Sequence, residues 1–198
     1  MDIGPHRIGL FGGTFDPPHV GHLVTAVNVR HELQLDVVLL MVANEPWQKV
    51  GSRPISPAPQ RLAMVRAAVV GVDGVEASDL EIVHGGPSYT ADTLASLRQM
   101  YPDASLHTIM GHDAACRFLT WERHGEVASL SELVVVERPG ACESLPDGYA
   151  WHRVEVPHLE VSSTDLRDRA ADGRPLDFLV PAAVQELIFE LGLYQEAG

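Results

Sequence analysis

Little in this sequence could staple it, anchor it in lipid or wrap it onto a polyanion. There are two cysteines, Cys116 and Cys142, and neither sits in a C-x-x-C. That is too few for a disulfide framework, so a reduced, cytoplasmic setting is expected. No apolar run approaches the ~18–20 residues that a membrane-spanning helix needs. The longest covers residues 37–43. Residues 1–6 lack the charged and apolar regions of a signal peptide. Basic residues are scarce: 14 Lys and Arg stand against 27 Asp and Glu, a formal charge of −13. A nucleic-acid or anionic-membrane partner needs a basic face, so neither is expected. A small anionic substrate is not excluded, because charges are screened over ~8 Å at physiological ionic strength. A local cluster of donors is enough.

Internal repeats and low-complexity tracts are absent too. What remains is an ordinary globular composition, 45% hydrophobic and 21% charged over 198 residues. A chain of that size forms one domain and buries roughly 70% of its unfolded surface, so it needs no metal or disulfide to fold. Short apolar runs alternate with helix-period segments. Residues 7–12 (RIGLFG), 37–42 (VVLLMV), 106–110, 133–137 and 153–156 read as strands, and 75–83 as a strand or strand pair. Helices are expected over 21–33, 60–70, 90–101, 163–171 and 182–191, the last with Val184, Leu187, Ile188 and Leu191 as its apolar stripe. Prolines between 46 and 59 mark a long loop, a candidate lid, and 138–148 forms a second loop. The uninterrupted apolar strands point to an α/β protein with a mainly parallel sheet. Residues 1–158 would form this core and 159–198 a helical C-terminal subdomain. Ligands of such sheets bind beyond the carboxyl ends of the strands.

The first such place is Gly12 to His22, GGTFDPPHVGH. Gly12 and Gly13 let the backbone approach a ligand closely. A helix must open near His19–Gly21, and its first N–H groups lack intrahelical partners, which makes that end an anion site. His19 and His22 share a face three residues apart. Two imidazoles there are placed to grip phosphate oxygens and to donate to charge that grows in a transition state. A tight turn with two incidental histidines is the plain alternative. A zinc site lacks further ligands at a familiar spacing. Neither the Walker A pattern nor the dinucleotide G-x-G-x-x-G is present.

The second place is Val161 to Arg167, VSSTDLR. Ser162, Ser163 and Thr164 put three hydroxyls at a helix start, and Arg167 follows within its first turns. Together they can hold a polyphosphate through charge-assisted bonds. An ordinary N-cap by Ser162 or Ser163, with Asp165 favouring the dipole, explains the same residues.

GGTFDPPHVGH and SSTDLR together resemble the H-x-G-H and S-S-T-x-x-R signatures of the nucleotidylyltransferase superfamily. Intermediate segments resemble its bacterial nicotinate-mononucleotide adenylyltransferase branch, over residues 7–194. The loop ANEPWQK, with Asn44 and Lys49, resembles N-x-x-P-P-H-K, although Trp47 and Gln48 replace the second Pro and the His. Gly86 to Leu94 (GPSYTADTL) is similar to the segment whose amides help recognise the nicotinate carboxylate, here Ser88, Tyr89 and Thr90. Ser88 or Thr90 could equally cap a helix there. Gly111 and Asp113 match a G-x-D whose Asp lies near adenosine. Trp121 stands where relatives stack a tryptophan on the pyridine ring, and Arg138 matches an arginine that meets phosphate.

The resemblance implies a Rossmann-like, doubly wound α/β fold and an adenylyl transfer. ATP and nicotinate mononucleotide would give nicotinate adenine dinucleotide and pyrophosphate in NAD biosynthesis. It implies His22, His19 and Arg167 as catalytic residues, with Gly12, Gly13, Thr14, Phe15, Gly111, Asp113, Ser162, Ser163 and Thr164 around ATP. Asn44, Lys49, Ser88, Tyr89, Thr90, Trp121 and Arg138 would take the mononucleotide. Mg²⁺ would ride mainly on the ATP phosphates, with no dedicated protein ligands. Alternatives at this stage are another phosphate acceptor (nicotinamide mononucleotide or pantetheine phosphate), a non-catalytic ATP or NAD sensor, and a histidine-based metalloprotein. Association into a homo-oligomer stays open.

Overall fold

The computed structural model describes residues 4–46, 54–137 and 144–195. Its centre is one six-stranded sheet in the order β3-β2-β1-β4-β5-β6. The strands are β1 (Arg7–Gly13), β2 (Val37–Val42), β3 (Val75–Ser78), β4 (Ser105–Gly111), β5 (Glu132–Glu137) and β6 (Trp151–Glu155). Every pairing is parallel. This is the doubly wound order, and it reverses direction between β1 and β4, where a crevice opens for a ligand.

The continuous apolar strands explain the layering. Along β2, Val37 and Met41 enter one apolar cluster, while Val38, Leu40 and Val42 enter the other. Successive side chains face opposite sides, so a strand covered on both faces must be apolar throughout. The first cluster is closed by α4 (Thr90–Met100), α5 (His112–Cys116) and α6 (His124–Leu130), through Leu94, Leu97, Ala115 and Val127. The second is closed by α1 (Val20–Glu32) and α2 (Ala58–Ala68), through Ala26, Val29, Leu62 and Val65. A third cluster lies behind α2. Met64 and Ala68 pack there with Leu166 of α7 (Ser163–Ala171) and with Val184 and Ile188 of α8 (Ala182–Glu190). That packing carries the start of α7 round to the end of β1.

Two expectations change. Of residues 75–83, only Val75–Ser78 is strand; the chain then turns into a short helix, α3 (Leu80–His84). The pairing of β3 with β2 stops where Met41 faces Ser78. Beyond that point Leu80 and Ile82, each half-buried, pack against the two clusters instead. In α8, Leu191 is exposed rather than part of the apolar stripe. The helix has ended, Gly192 turns left-handed with φ 58°, and Leu193 packs in its place.

Among the described residues, no helix is long and apolar enough to cross a membrane.

Candidate active site

A cavity of about 730 Å³ lies at the sheet's reversal point, between the carboxyl ends of β1 and β4. That is the size of a small-molecule site. Gly12, Gly13, Thr14, Phe15, His19, His22, Ser88, Tyr89, Thr90, Gly111, Asp113, Trp121, Ser162, Ser163, Thr164 and Arg167 all line it. Asn44 does not: its N–H donates to Ser88 Oγ (2.8 Å) and its amide to the Gly86 carbonyl (2.9 Å). It ties the loop after β2 to the segment before α4. Trp47, Gln48, Lys49 and Arg138 lie outside the described residues.

The helix mouth is built as a pair of stacked imidazoles. His19 is the N-cap of α1, in extended backbone, and is buried. The His19 and His22 rings stack with centroids 3.7 Å apart. The His19 backbone N–H donates to His22 Nδ1 at 3.1 Å, the reciprocal half of a capping box. This bond fixes chemistry as well as geometry. An Nδ1 that accepts is unprotonated, so a neutral His22 carries its proton on Nε2. Phe15 meets the His22 ring edge-on at 4.9 Å. The mouth is less open than the sequence implies, because the Val20 N–H already donates to the Leu179 carbonyl at 3.0 Å.

The glycines work by close approach. A Cβ on Gly13 would stand 2.8 Å from the Phe15 ring. A Cβ on Gly21 would stand 3.0 Å from both His19 Nδ1 and Val161 Cγ1. The middle glycine of H-x-G-H therefore lets the second motif's strand of chain lie against the first.

The two motifs are joined directly. Ser163 Oγ donates to the Pro17 carbonyl at 2.9 Å. Arg167 donates to the Asp16 carbonyl at 2.8 Å and to Thr164 Oγ1 at 3.1 Å. Ser162 is the N-cap of α7, accepting from the Asp165 N–H. At α4 the N-cap is Tyr89 rather than Ser88 or Thr90, and its side chain makes no capping hydrogen bond.

The cytidylyltransferase-like family profile matches residues 10–169 of this chain. A protein of Desulfitobacterium hafniense (strain Y51), named "Probable nicotinate-nucleotide adenylyltransferase", is 42% identical over 98% of this chain and 99% of its own. One of the same name in Streptomyces coelicolor is 44% identical over 93% and 98%. The chain belongs to the nicotinate-nucleotide adenylyltransferases. In fold it is similar to the Plasmodium falciparum nicotinic acid mononucleotide adenylyltransferase solved in complex with NaAD. The TM-score is 0.78 at 16% identity, over 95% of this chain and 97% of that one.

Several residues of this adenylyltransferase site escaped the sequence reading. Arg61 of α2 is 1% exposed. Its guanidinium donates to the carbonyls of Ser56 (2.8 Å), Thr14 (2.9 Å) and Asn44 (3.0 Å), joining the loop after β1 to both ends of the loop between β2 and α2. An arginine beside Leu62 on the apolar face of a helix was the available signal. Asp16, buried at the cavity wall, accepts from Tyr194 Oη at 2.8 Å and from the Ser56 N–H at 3.4 Å. Glu81 lines the cavity and accepts from Thr93 Oγ1 at 2.6 Å. Burial pushes its carboxyl above the usual carboxylate range, and the hydroxyls of Thr93 and Ser88 pull it partly back. Arg117 lines the cavity with its Nε held by the Asp113 carbonyl at 3.2 Å.

Proposed function

We propose that the contact between the two motifs builds the triphosphate site of an adenylyl transfer from ATP to nicotinate mononucleotide. The observation that carries this reading is the meeting of His19–His22 with Ser163 and Arg167 across Asp16 and Pro17. Residues 146 and 151 positions apart share hydrogen bonds at a single cavity wall.

The mononucleotide phosphate oxygen attacks the α-phosphorus of ATP in line. The new P–O bond forms as the bond to the β-phosphate oxygen breaks, and pyrophosphate leaves with the electron pair. An attacking phosphate is anionic near neutral pH, so no general base is needed. Catalysis is positioning and charge stabilisation. His22 donates from Nε2 to the α-phosphate oxygens as their charge rearranges, with His19 stacked behind it. Thr14 and the backbone of Gly12, Gly13 and Phe15 cradle phosphate. Ser162, Ser163, Thr164 and Arg167 hold the departing pyrophosphate. Gly111 and Asp113 border adenosine. Ser88, Tyr89, Thr90 and Trp121 receive the pyridine half, with Asn44 positioning Ser88 and with Lys49 and Arg138 as phosphate contacts. Trp121 is braced on its core side by Phe118, ring centroids 5.6 Å apart, and offers a flat face for stacking.

Mg²⁺ takes oxygen ligands and keeps most of its waters. Three of the carboxylates that line the cavity are already engaged: Asp16 by Tyr194, Glu81 by Thr93 and Glu137 by Arg153. That donor set fits an ion carried on the triphosphate. It would neutralise charge on the phosphates and the leaving group.

Pyrophosphate release tests the reading, with ATP, Mg²⁺ and each candidate acceptor in turn. Nicotinate mononucleotide should give the highest kcat/KM. Preference for another acceptor would overturn the substrate assignment. ATP binding without turnover of any acceptor would make the protein a sensor.

A further inference from the structure

Glu81 stands at the start of α3 and Thr93 just inside α4. Between them the chain turns through two left-handed glycines, Gly85 at φ 71° and Gly86 at φ 68°. Glycine permits that conformation but does not fix it. Ser88, Tyr89 and Thr90, assigned above to the pyridine half, follow directly. We propose that Glu81 is a positioning residue for the acceptor: its carboxylate clasps the Thr93 and Ser88 hydroxyls and so holds the 88–90 wall of the cavity where the pyridine half binds. This rests on the adenylyl-transfer reading above and deepens it at that same site.

The bonds converge on this segment from both sides. Thr93, 1% exposed, donates from Oγ1 to Glu81 Oε1 at 2.6 Å. The Ser88 hydroxyl bonds to the same carboxyl. Ser88 Oγ in turn accepts the Asn44 N–H at 2.8 Å, and the Ser88 N–H donates to the Glu45 carbonyl at 3.0 Å. The residue that leaves the glycine turn is thus held by the loop after β2 on one side and by Glu81 on the other. An ionised carboxylate accepts from both hydroxyls with no donor of its own to face either. Glu81 also lines the cavity that takes the acceptor, itself an anion. By Coulomb's law alone a carboxylate there would weaken acceptor binding. Burial raises the Glu81 carboxyl above its ordinary range, and the two hydroxyls offset part of that cost. Clasp and repulsion therefore predict opposite effects of removing the side chain.

Glu81→Ala removes the carboxylate. The expected result is a KM for nicotinate mononucleotide about tenfold higher, with the KM for ATP within about twofold. Repulsion alone predicts a lower acceptor KM. Glu81→Gln keeps an acceptor oxygen and lacks the charge, so its KM should fall between those of the wild type and Glu81→Ala. Thr93→Val keeps the shape and deletes one hydroxyl. It should raise the acceptor KM about threefold or more and add little in a Glu81→Ala background. This variant carries the test should Glu81→Ala not fold. Ile82→Ala thins the packing of α3 on the second cluster without touching either hydroxyl. It should lower Tm and leave both KM values within about twofold. The proposal is overturned by an acceptor KM that falls or rises less than about threefold in Glu81→Ala, or by an equal rise for ATP. It is equally overturned by a Glu81→Gln KM at or above that of Glu81→Ala, by additivity of Thr93→Val, or by an Ile82→Ala effect as large as that of Glu81→Ala. A wild-type protein that turns over no pyridine mononucleotide would sink the adenylyl-transfer reading instead. An active wild type with unchanged variants would sink the clasp alone.

Discussion

His22 shows how a side chain inherits its chemistry from its backbone neighbourhood. The bond from the His19 N–H selects the tautomer, and the stacked ring of His19 together with the edge of Phe15 sets the plane. A donor prearranged in this way is worth roughly two to three decades in kcat. His22→Ala should therefore lose kcat on that scale in steady-state assays while the Kd of an ATP analogue changes by less than fivefold. Near-wild-type turnover would remove the role. Arg61 makes a different kind of point, because it touches carbonyls rather than a ligand. Arg61→Met would fit the apolar face of α2 but strand three carbonyls that Arg61 now serves. Leaving buried polar groups unpaired costs about 1–3 kcal/mol each, with partial relief from water. Denaturant unfolding should show a loss of about 3 kcal/mol or more, and a neutral result would mean that the loops re-pair without it.

Strands and helix ends carry their own dependencies. The start of β1 is held by the Asp36 carboxylate, which accepts the N–H groups of His6 (2.7 Å) and Arg7 (2.9 Å). These bonds, Arg7's first, hold the Asp36 carboxyl below its ordinary range. A depressed folded value means that the stabilisation is complete above the unfolded carboxylate range and fades as pH falls through the lower folded value. Asp36→Asn should thus be less stable than the wild type at pH 7, and thermal melts should converge as the pH falls below the ordinary carboxylate range. A difference that persists in acid would assign the effect to packing. The element periods were legible because β2 and the helices of the sheet faces obey simple rules of alternation. The short helix α3 was not, because apolar residues at 80, 82 and 83 fit a strand as well as a helical turn. Only the end of the β2 pairing at Ser78 chooses between them.

At the scale of the molecule, the cavity draws its walls from both ends of the chain and from both sides of the sheet's reversal point. A ligand held there bridges β1, β4, α1 and α7, so its binding free energy adds to global stability. At a hundredfold excess over Kd, ATP with Mg²⁺ should contribute about 2.7 kcal/mol. For a domain near this size, that corresponds to a rise in Tm of about 5–10 °C in a thermal-shift assay. No shift would mean either that ATP does not bind or that the site opens independently of the core.

Sequence alone determined what depends on local chemistry and period. The buried parallel strands, the glycine pair, the H-x-G-H and S-S-T-x-x-R helix mouths, and hence the family, all sit in short contiguous stretches. Contacts between stretches were decided only by the tertiary structure. The Gly21–Val161 approach, the Arg167 and Ser163 bonds to Asp16 and Pro17, the Arg61 clamp and the Tyr194 hydroxyl all join residues far apart in the chain. Which distant donor meets which acceptor follows from how α2, α7 and α8 pack together, and no single segment encodes that packing.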